Sequence, residues 1–191
     1  MARPNRTREL ILDAAVTLAA DQGISSTSMD AIAEQAGVAK GSLYYNFASK
    51  DELYSAVFTH MRERIQSALA EAREADSQEG SPAARATRAL VDVFFEAPNA
   101  ARLAIVELLR TDRAWADNAR ALRTSLVAEF SRAIRASKPN LDREFDADTA
   151  AVALLGAVLM SSLDCIVFRA EASKTGLIAS LEHLAEHGLA H

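Results

Sequence analysis

The side chains best suited to recognition chemistry lie close together near residue 43. Lys40, Ser42, Tyr44 and Tyr45 bring an ammonium group, a hydroxyl and two phenol rings into six residues. Lysine donates hydrogen bonds to guanine edges and to phosphate, a serine hydroxyl donates or accepts, and tyrosine adds an aromatic ring to its hydroxyl. This combination is suited to the edges and backbone of a nucleic acid.

Two short helices joined at a glycine would position these groups. Met29, Ile32, Ala33 and Ala36 recur at i, i+3, i+4 and i+7, which predicts one apolar face on a two-turn helix. Gly37 is placed to end that helix, because glycine readily adopts the left-handed backbone conformation. A second helix after this turn completes the arrangement that a helix-turn-helix needs for the DNA major groove.

In the second short helix, Leu43 and Phe47 share a face, so we expect both to pack inward with Val38. The four recognition side chains are then left outside. Gly41 lies among them, although glycine costs a helix about 1 kcal/mol relative to alanine. An exposed glycine at that cost indicates that DNA approaches the helix backbone closely.

Capping residues predict where the neighbouring helices begin. Ser28 and Thr27 both fit the N-cap of the first short helix, and the sequence does not decide between them. Ser49 and Glu52 have the spacing of a capping box that opens a fourth helix. Lys50 then lies in the first turn, where the helix dipole disfavours a cation. It is either an ordinary exposed lysine or a phosphate ligand, and beside a helix-turn-helix we expect phosphate.

The N-terminus is expected to begin with a helix over Thr7–Gln22 that ends at Gly23. The arginine-rich residues before this helix, Arg3 and Arg6, are expected to form a flexible arm. That arm is either a solvated tail or a contact to phosphates and the minor groove.

The composition of the 191 residues favours helices, because half are hydrophobic and only seven are glycine and four proline. The net charge of −5 gives DNA binding no support by itself. We expect no signal peptide, because Met1–Ile11 has no apolar core of the required length. We expect no membrane partner, since polar residues, including Asp164, interrupt the apolar stretch Ala150–Phe168. The single cysteine, Cys165, forms no disulfide within the chain. The expected location is the cytoplasm, with association with the nucleoid when DNA is bound.

The rest of the chain is expected to be helical, with no strand. The fourth helix runs to about Ala75, and a linker follows over 76–82. We place the domain boundary inside this helix, which gives a helix-turn-helix domain at 1–55 and a helical domain at 56–191. Further helices are predicted at Ala83–Glu96, Asn99–Thr111, Trp115–Ala136, Asp146–Glu171 and Lys174–Gly188.

Residues 7–58 resemble the N-terminal domain of TetR/AcrR-family transcriptional regulators. The likeness is carried by the segments Asp21–Gly23, Ser28–Ala33, Ala36–Phe47 and Ser49–Leu53. The resemblance implies an all-α fold in which a three-helix DNA-binding domain is joined through a long fourth helix to a helical ligand-binding and dimerisation domain. It implies a ligand-responsive, sequence-specific transcriptional regulator: a dimeric repressor released from its operator by a small, mostly apolar effector. No cofactor is implied.

The resemblance also assigns DNA contacts to particular residues. The DNA backbone would be touched by Thr27 and Ser28, which precede the first short helix. Base edges and phosphates would be faced by five residues of the second helix: Lys40, Gly41, Ser42, Tyr44 and Tyr45. Lys50 would hold a phosphate. Tyr45 has an alternative, which is to pack on the first helix. Two positions depart from the family: Ala39 replaces a frequent capping serine, and Asn46 stands where histidine or an aromatic residue is common.

The C-terminal half is expected to supply the dimer and the effector site. The family implies a homodimer through the last two helices. Ala151, Leu155, Leu159 and Ser162 would line one side of a shared interface, or else belong to the core of one chain. Asp164 would pair with an arginine at that interface or anchor the ligand. The candidate ligand residues are Phe58, Met61, Phe94, Phe95, Val106, Leu109, Trp115, Asp164 and Phe168.

Two other functions compete with this interpretation. The segment 183–187 reads H-L-A-E-H, the inverted zinc-peptidase pattern, so a metal-dependent hydrolase using His183 and His187 is one alternative. Only four residues of the sequence follow the pattern, so we expect no downstream third ligand, no catalysis and no metal site. The other alternative is a helical scaffold whose helix-turn-helix binds protein.

Overall fold

The computed structural model describes residues 3–75, 80–108, 116–137, 146–169 and 171–188, with side chains from residue 6 onward. These residues form helices and no strand, which confirms the all-α prediction with its three N-terminal helices and long fourth helix. The first helix begins at Arg3, four residues earlier than predicted. The helices are α1 (Arg3–Gln22), a short 3-10 turn (Ile24–Ser26), α2 (Met29–Gln35), α3 (Lys40–Asn46), α4 (Lys50–Glu74), α5 (Pro82–Glu96), α6 (Pro98–Leu108), α7 (Ala116–Ser137), α8 (Ala147–Val167) and α9 (Lys174–His187).

The chain forms two compact units. The first comprises Met1–Arg62 with Asn99–Arg120, and the second comprises Glu63–Pro98 with Ala121–His191. Helix α4 therefore contributes to both units. The predicted domain boundary at residue 55 lies in this same helix and stays a prediction.

The first unit packs α1, α2, α3 and the start of α4 around one apolar core. Ile11, Ile32, Leu43 and Leu53 are all fully buried there, and they come from four different helices. Tyr54 is also fully buried, and its hydroxyl donates to the carbonyl oxygen of Ala15 at 3.2 Å. This hydrogen bond ties α4 to α1, so the helix that leaves the first unit is fixed at its base.

Burial raises the pKa of Tyr54 from 10.0 to about 12. Because the unfolded chain releases this proton near pH 10 and the folded chain keeps it, the contribution to stability is complete below pH 10 and is lost between pH 10 and 12. We expect Tyr54→Phe to lower the free energy of unfolding at pH 7 by about 1 kcal/mol, the usual loss for one buried hydrogen bond. Urea unfolding at pH 7 and pH 11 tests this. The wild type should lose more stability between the two values than the variant, and equal losses would contradict the assignment.

The second unit holds α5 against α8 and α9. Arg88 forms a 2.6 Å ion pair with Glu182, and Asp92 forms one of 2.6 Å with Lys174. At the other end of α5, the Ser81 amide donates to Glu186 Oε1 at 3.2 Å. Residue numbers rise along α5 as they fall along α9, so the two helices are antiparallel. The acidic side chains of α9 are therefore directed at α5.

Helix α8 is apolar on two faces, and only one is covered. Ala151, Leu155 and Ser162 are at most 4% exposed within the chain itself, so they belong to its core. The prediction that these residues form the side shared between two copies was wrong. Periodicity alone misled it, because both faces carry small and apolar residues. The face that remains open carries Val152, Met160 and Val167, which are 43%, 62% and 40% exposed. Phe168, the C-cap residue that follows the helix, is 75% exposed.

Among the described residues, α8 is long and apolar enough to cross a membrane, judged by length and composition alone. Its most apolar stretch has a mean hydropathy of 2.1, and 39% of it is buried in the chain. A core helix of a soluble protein passes the same test. The rest of this stretch is not buried by the described chain.

Candidate nucleic-acid interface

The turn between α2 and α3 has the predicted geometry. Ser28 is the N-cap of α2, and its hydroxyl accepts from the Ala31 amide at 3.1 Å. Gly37 has φ +65°, the left-handed value, which confirms that it ends the first short helix. The Val38 amide then donates to the Ala33 carbonyl at 3.0 Å and closes the turn. The angle between the two helices is therefore held by backbone hydrogen bonds.

The inner face of α3 anchors it in the core, as predicted. Leu43 is fully buried and Phe47 is 1% exposed. The guanidinium of Arg8 lies 4.5 Å from the centroid of the Phe47 ring, close enough for a cation–π contact. Arg8 is thus part of the folded first unit. Arg3 and Arg6 lie in α1, so the expectation that they form a flexible arm was wrong.

The outer edge of α3 is open to solvent. Tyr45 is 90% exposed, Tyr44 is 50% exposed and the Lys40 side chain is 66% exposed. Tyr45 therefore does not take its alternative position against α1. Ser42 is exposed beside them, and a Cβ added to Gly41 would meet no atom of the described chain within 4 Å. The five α3 residues predicted to face DNA thus share one accessible edge.

The two departures from the family pattern have local consequences. Ala39 is the N-cap of α3 and makes no side-chain capping bond, so the first amides of this helix have no side-chain acceptor at that position. The Asn46 side-chain amide donates back to the Ser42 carbonyl at 2.8 Å. Position 46 therefore secures the end of α3.

The sequence reasoning missed Asp30 of α2. Its carboxylate lies 2.6 Å from the Lys40 ammonium, and hydrogen bonding to Asp30 raises the pKa of Lys40. The signal available in the sequence was an acidic residue in the first turn of the helix that must pack beside α3. The ion pair orients Lys40 across the edge, and it places a negative charge on the surface that would meet phosphates.

Removing that charge is expected to strengthen non-specific DNA binding. With Asp30→Asn, Lys40 loses its partner and the surface loses a group that repels phosphate, so affinity for unrelated DNA should rise about threefold to tenfold at low salt. Stability should barely change, because an exposed ion pair contributes at most about 1 kcal/mol. Fluorescence anisotropy with random-sequence DNA tests this, and Asp51→Asn is a matched control on α4. An unchanged affinity would contradict the role given to Asp30.

Two of the predicted DNA-contact residues are engaged inside the chain. The Thr27 side chain is 2% exposed and donates to the Gly23 carbonyl at 3.0 Å, so it is not available for the predicted backbone contact. The Lys50 ammonium donates to the carbonyls of Ser25 and Thr27 at 3.1 and 2.7 Å. These carbonyls explain a lysine in the first turn of α4 without an anion. The Ser49 cap of α4 forms as predicted, with the Glu52 amide donating to the Ser49 hydroxyl at 3.1 Å. The Glu52 carboxylate accepts from the Ala48 amide at 2.9 Å, one residue before the position that a capping box uses.

The predicted ligand residues that the structure describes lie in different surroundings within their own units. Phe58 and Met61 belong to the core of the first unit, and Phe94 is buried in the second. Val106 is 57% exposed and Phe168 is 75% exposed. Aromatic residues in a helical chain mostly fill the core, so burial alone does not mark a ligand site, and the predicted set stays a prediction. The ring centroid of Phe95 lies 5.8 Å from the Lys174 ammonium. Asp164 pairs with Arg169 at 2.5 Å. The last two candidates, Leu109 and Trp115, lie outside the described residues.

Other residues line the cavities of the second unit. A cavity of about 560 Å³ lies between the end of α4 and α5, and one of about 190 Å³ lies among α4, α5 and α7. Their walls combine alanines with charged side chains, a pattern that sequence alone does not separate from an ordinary helix surface. Arg85 lines both cavities. The larger cavity is also lined by the charged residues Arg64, Arg88, Asp92 and Glu96.

The zinc-peptidase pattern does not assemble a catalytic site. Glu186, the residue needed as its base, accepts from the Ser81 amide at 3.2 Å and faces α5. His183 and His187 are exposed, with their rings stacked at 4.4 Å between centroids. Over the described part of the chain, no group of three metal-ligating side chains occurs. The base and the two imidazoles therefore lie on different faces of α9.

Comparison with known proteins places this geometry in a family. Residues 11–57 match the model of bacterial regulatory proteins of the tetR family. The chain is 32% identical over 162 residues to the HTH-type transcriptional regulator TtgR of Pseudomonas putida, a match covering 80% of this chain and 76% of that protein. Three further curated HTH-type transcriptional regulators are 41% to 46% identical over 52 to 73 residues, which spans only 24% to 35% of their own length.

Solved structures resemble the whole chain. A TetR-like transcriptional regulator from Rhodococcus sp. RHA1 is 27% identical with a TM-score of 0.80, covering 99% of this chain and 98% of that one. The regulator FadR from Bacillus subtilis, solved in complex with stearoyl-CoA, shares the fold at 20% identity and a TM-score of 0.78, covering 96% and 99%. The relatives are regulators and not enzymes. With its glycine turn, buried Leu43 and exposed α3 edge, this chain belongs to the TetR/AcrR family of transcriptional regulators.

Proposed function

We propose that the chain is a dimeric repressor that binds an operator through α3 and leaves it when a small molecule binds the second unit. The observation that carries the DNA-binding half is the exposed edge of α3. Two tyrosines and a lysine lie in solvent on a helix whose opposite face is buried in the core. Large exposed aromatic side chains on a rigid helix mark a binding surface.

Within this proposal each residue has a task. Tyr44 and Tyr45 contact bases or sugars, while Lys40 and Ser42 donate to base edges or phosphates. Ser28 keeps its capping bond and offers its hydroxyl proton to the DNA backbone. Lys50 supports the surface by holding the preceding loop, and its remaining N–H is directed to a phosphate.

Gly41 gives a test in which stability and binding change in opposite directions. Because its added Cβ meets no described atom, Gly41→Ala should fold and stabilise the protein by about 0.5–1 kcal/mol. The same methyl group would separate α3 from the DNA backbone, so operator affinity should fall at least about tenfold. Thermal unfolding and anisotropy measure the two effects. A variant that is both more stable and equally tight in binding would show that DNA does not approach this position closely.

The dimer is proposed to form through the open face of α8 together with α9. A monomer presents one recognition helix, whereas two-fold related helices about 34–36 Å apart meet successive major grooves. The exposed Val152, Met160 and Val167 supply the apolar surface that an obligate interface buries. Gly156 lies on the same helix and lets a partner helix approach.

The effector is proposed to bind in the second unit and to be largely apolar. The cavity of about 560 Å³ between α4 and α5 falls in the size range of small-molecule sites. FadR, which shares this fold, was solved with stearoyl-CoA, a long apolar chain on a charged group. Because α4 contributes to both units, a ligand that favours one arrangement of this helix would alter the recognition helices. Reciprocity then requires DNA to weaken effector binding by the same factor.

A mobility shift with the DNA upstream of the chain's own gene tests the proposal. Purified protein should shift this fragment at nanomolar to tens of nanomolar concentration, and unlabelled random DNA should not compete at equal mass. A thermal-shift screen of small apolar acids and thioesters should then yield a compound that releases the DNA. A protein that shifts no fragment specifically would overturn the repressor assignment and leave only the family membership. We also expect a cytoplasmic protein that associates with the nucleoid when bound.

A further inference from the structure

The outward face of α9 carries two imidazoles that the proposed function does not use. His183 and His187 are four residues apart, so they lie one above the other on the same side of the helix. Their rings are stacked with centroids 4.4 Å apart and planes 24° from parallel. With Ala157 and Ser161 of α8, they line a shallow depression of about 560 Å³ between the two helices.

One hydrogen bond prepares this pair for a metal. The Nδ1 atom of His187 lies 3.2 Å from the His183 carbonyl oxygen. In the tautomer that donates to this carbonyl, Nε2 keeps a lone pair and faces outward. Metal-binding histidines are usually held in this way, with the other ring nitrogen bonded to a carbonyl or carboxylate.

The carboxylates of α9 are committed elsewhere. Glu182 pairs with Arg88 at 2.6 Å, and Glu186 accepts from the Ser81 amide. Neither completes a coordination shell around the two histidines. A tetrahedral zinc ion takes four ligands, with nitrogens about 2.0–2.1 Å from the metal and so about 3.3 Å apart. A small tilt of the stacked rings brings two nitrogens to that spacing, and two positions on the metal stay open.

We propose that His183 and His187 bind a divalent transition metal of the zinc class, and that the same pair from a second copy of the chain completes the shell. The sharing rests on the proposed dimer, since the depression lies on the α8 and α9 surface that this dimer buries. Buried imidazoles need polar partners, and a shared metal supplies one to each of the four rings. Imidazole nitrogen is a preferred ligand for zinc, nickel and cobalt.

Metal titration of untagged protein tests the site. With zinc followed by calorimetry, wild-type protein should bind one ion for every two chains. The double variant His183→Ala/His187→Ala should lose at least tenfold in affinity, and His60→Ala, which removes an exposed histidine of α4, should not. Circular dichroism checks that each variant is folded. Zinc binding that is absent, or equal in the double variant, overturns the proposal.

Sedimentation in EDTA and in zinc separates this inference from the proposed dimer. Zinc should tighten self-association at least tenfold in wild type and not in the double variant. One ion per chain with no effect on association would overturn the shared site. A protein that is dimeric in EDTA but binds no zinc keeps the proposed function and loses this inference. A protein that binds zinc but sediments as a monomer both in EDTA and in zinc loses the proposed dimer and the shared site together.

Discussion

Replacing Tyr44 with alanine is expected to lower operator affinity at least about 100-fold while the protein stays folded and dimeric. Tyr44 is 50% exposed and lies on a different side of α3 from the buried Leu43, so its removal leaves the core intact. A specific base contact contributes about 1–3 kcal/mol, and the variant dimer lacks this contact in both half-sites. A loss of about 1.5 kcal/mol per half-site, or 3 kcal/mol in total, corresponds to roughly 150-fold.

Lys40→Ala should act on the same surface with a different dependence on salt. If Lys40 donates to phosphate, the slope of log affinity against log salt should fall by about two, one for each half-site. If Lys40 donates to a base edge, the loss should instead concentrate at one position of the operator. The Asp30 ion pair reduces either effect, because DNA must compete with a 2.6 Å contact that already exists.

Anisotropy over a salt series measures both variants, and sedimentation measures their assembly. Tyr44→Phe is the comparison variant, because it keeps the 50% exposed ring, removes only the hydroxyl and so separates the two contributions of Tyr44. If Tyr44→Ala or Lys40→Ala fell apart in sedimentation, these residues would belong to the core and their assignment to DNA would be wrong.

The N-terminal unit could be predicted because local signals set it. The apolar spacing before Gly37, the Ser49 cap of α4 and the inward Leu43 each act over a few residues, and the structure contains all three. Long-range partners could not be predicted. Lys50 looked unfavourable from the dipole alone, and only the fold brings the carbonyls of Ser25 and Thr27 to its ammonium.

The C-terminal unit was predictable in its helices and not in its faces. An apolar helix such as α8 satisfies a core pattern and an interface pattern at once, so the sequence does not say which side each neighbour takes. The structure resolves this: α8 packs against α5 and α9, Ala151 and Leu155 are buried, and Met160 is left open. The aromatic residues were predicted to bind the ligand because aromatic residues are scarce in this chain. The cavities described in the second unit are instead lined mainly by alanine and charged side chains.

The open face of α8 supports a second large effect. Met160→Glu is expected to convert the proposed dimer to a monomer, because Met160 is 62% exposed in one chain and the variant would place two carboxylates in the proposed apolar interface. A buried charge without a partner costs several kcal/mol, and a two-fold interface incurs that cost twice. The folded chain should be unaffected, since the substituted side chain faces solvent in the monomer.

The same substitution should weaken DNA binding, because it halves the number of recognition helices in each complex. A monomer binds one half-site, so the affinity for a full operator should fall to that of a single recognition helix, a loss of at least about 100-fold. Val106→Glu is the control, because Val106 is 57% exposed on α6 of the first unit and the same charge there should leave sedimentation unchanged. A Met160→Glu protein that still sediments as a dimer would place the interface on another surface. A Met160→Glu protein that sediments as a monomer yet binds the operator with full affinity would show that the two half-sites are read independently. The proposed effector mechanism would then also fail, because it requires both recognition helices to move together.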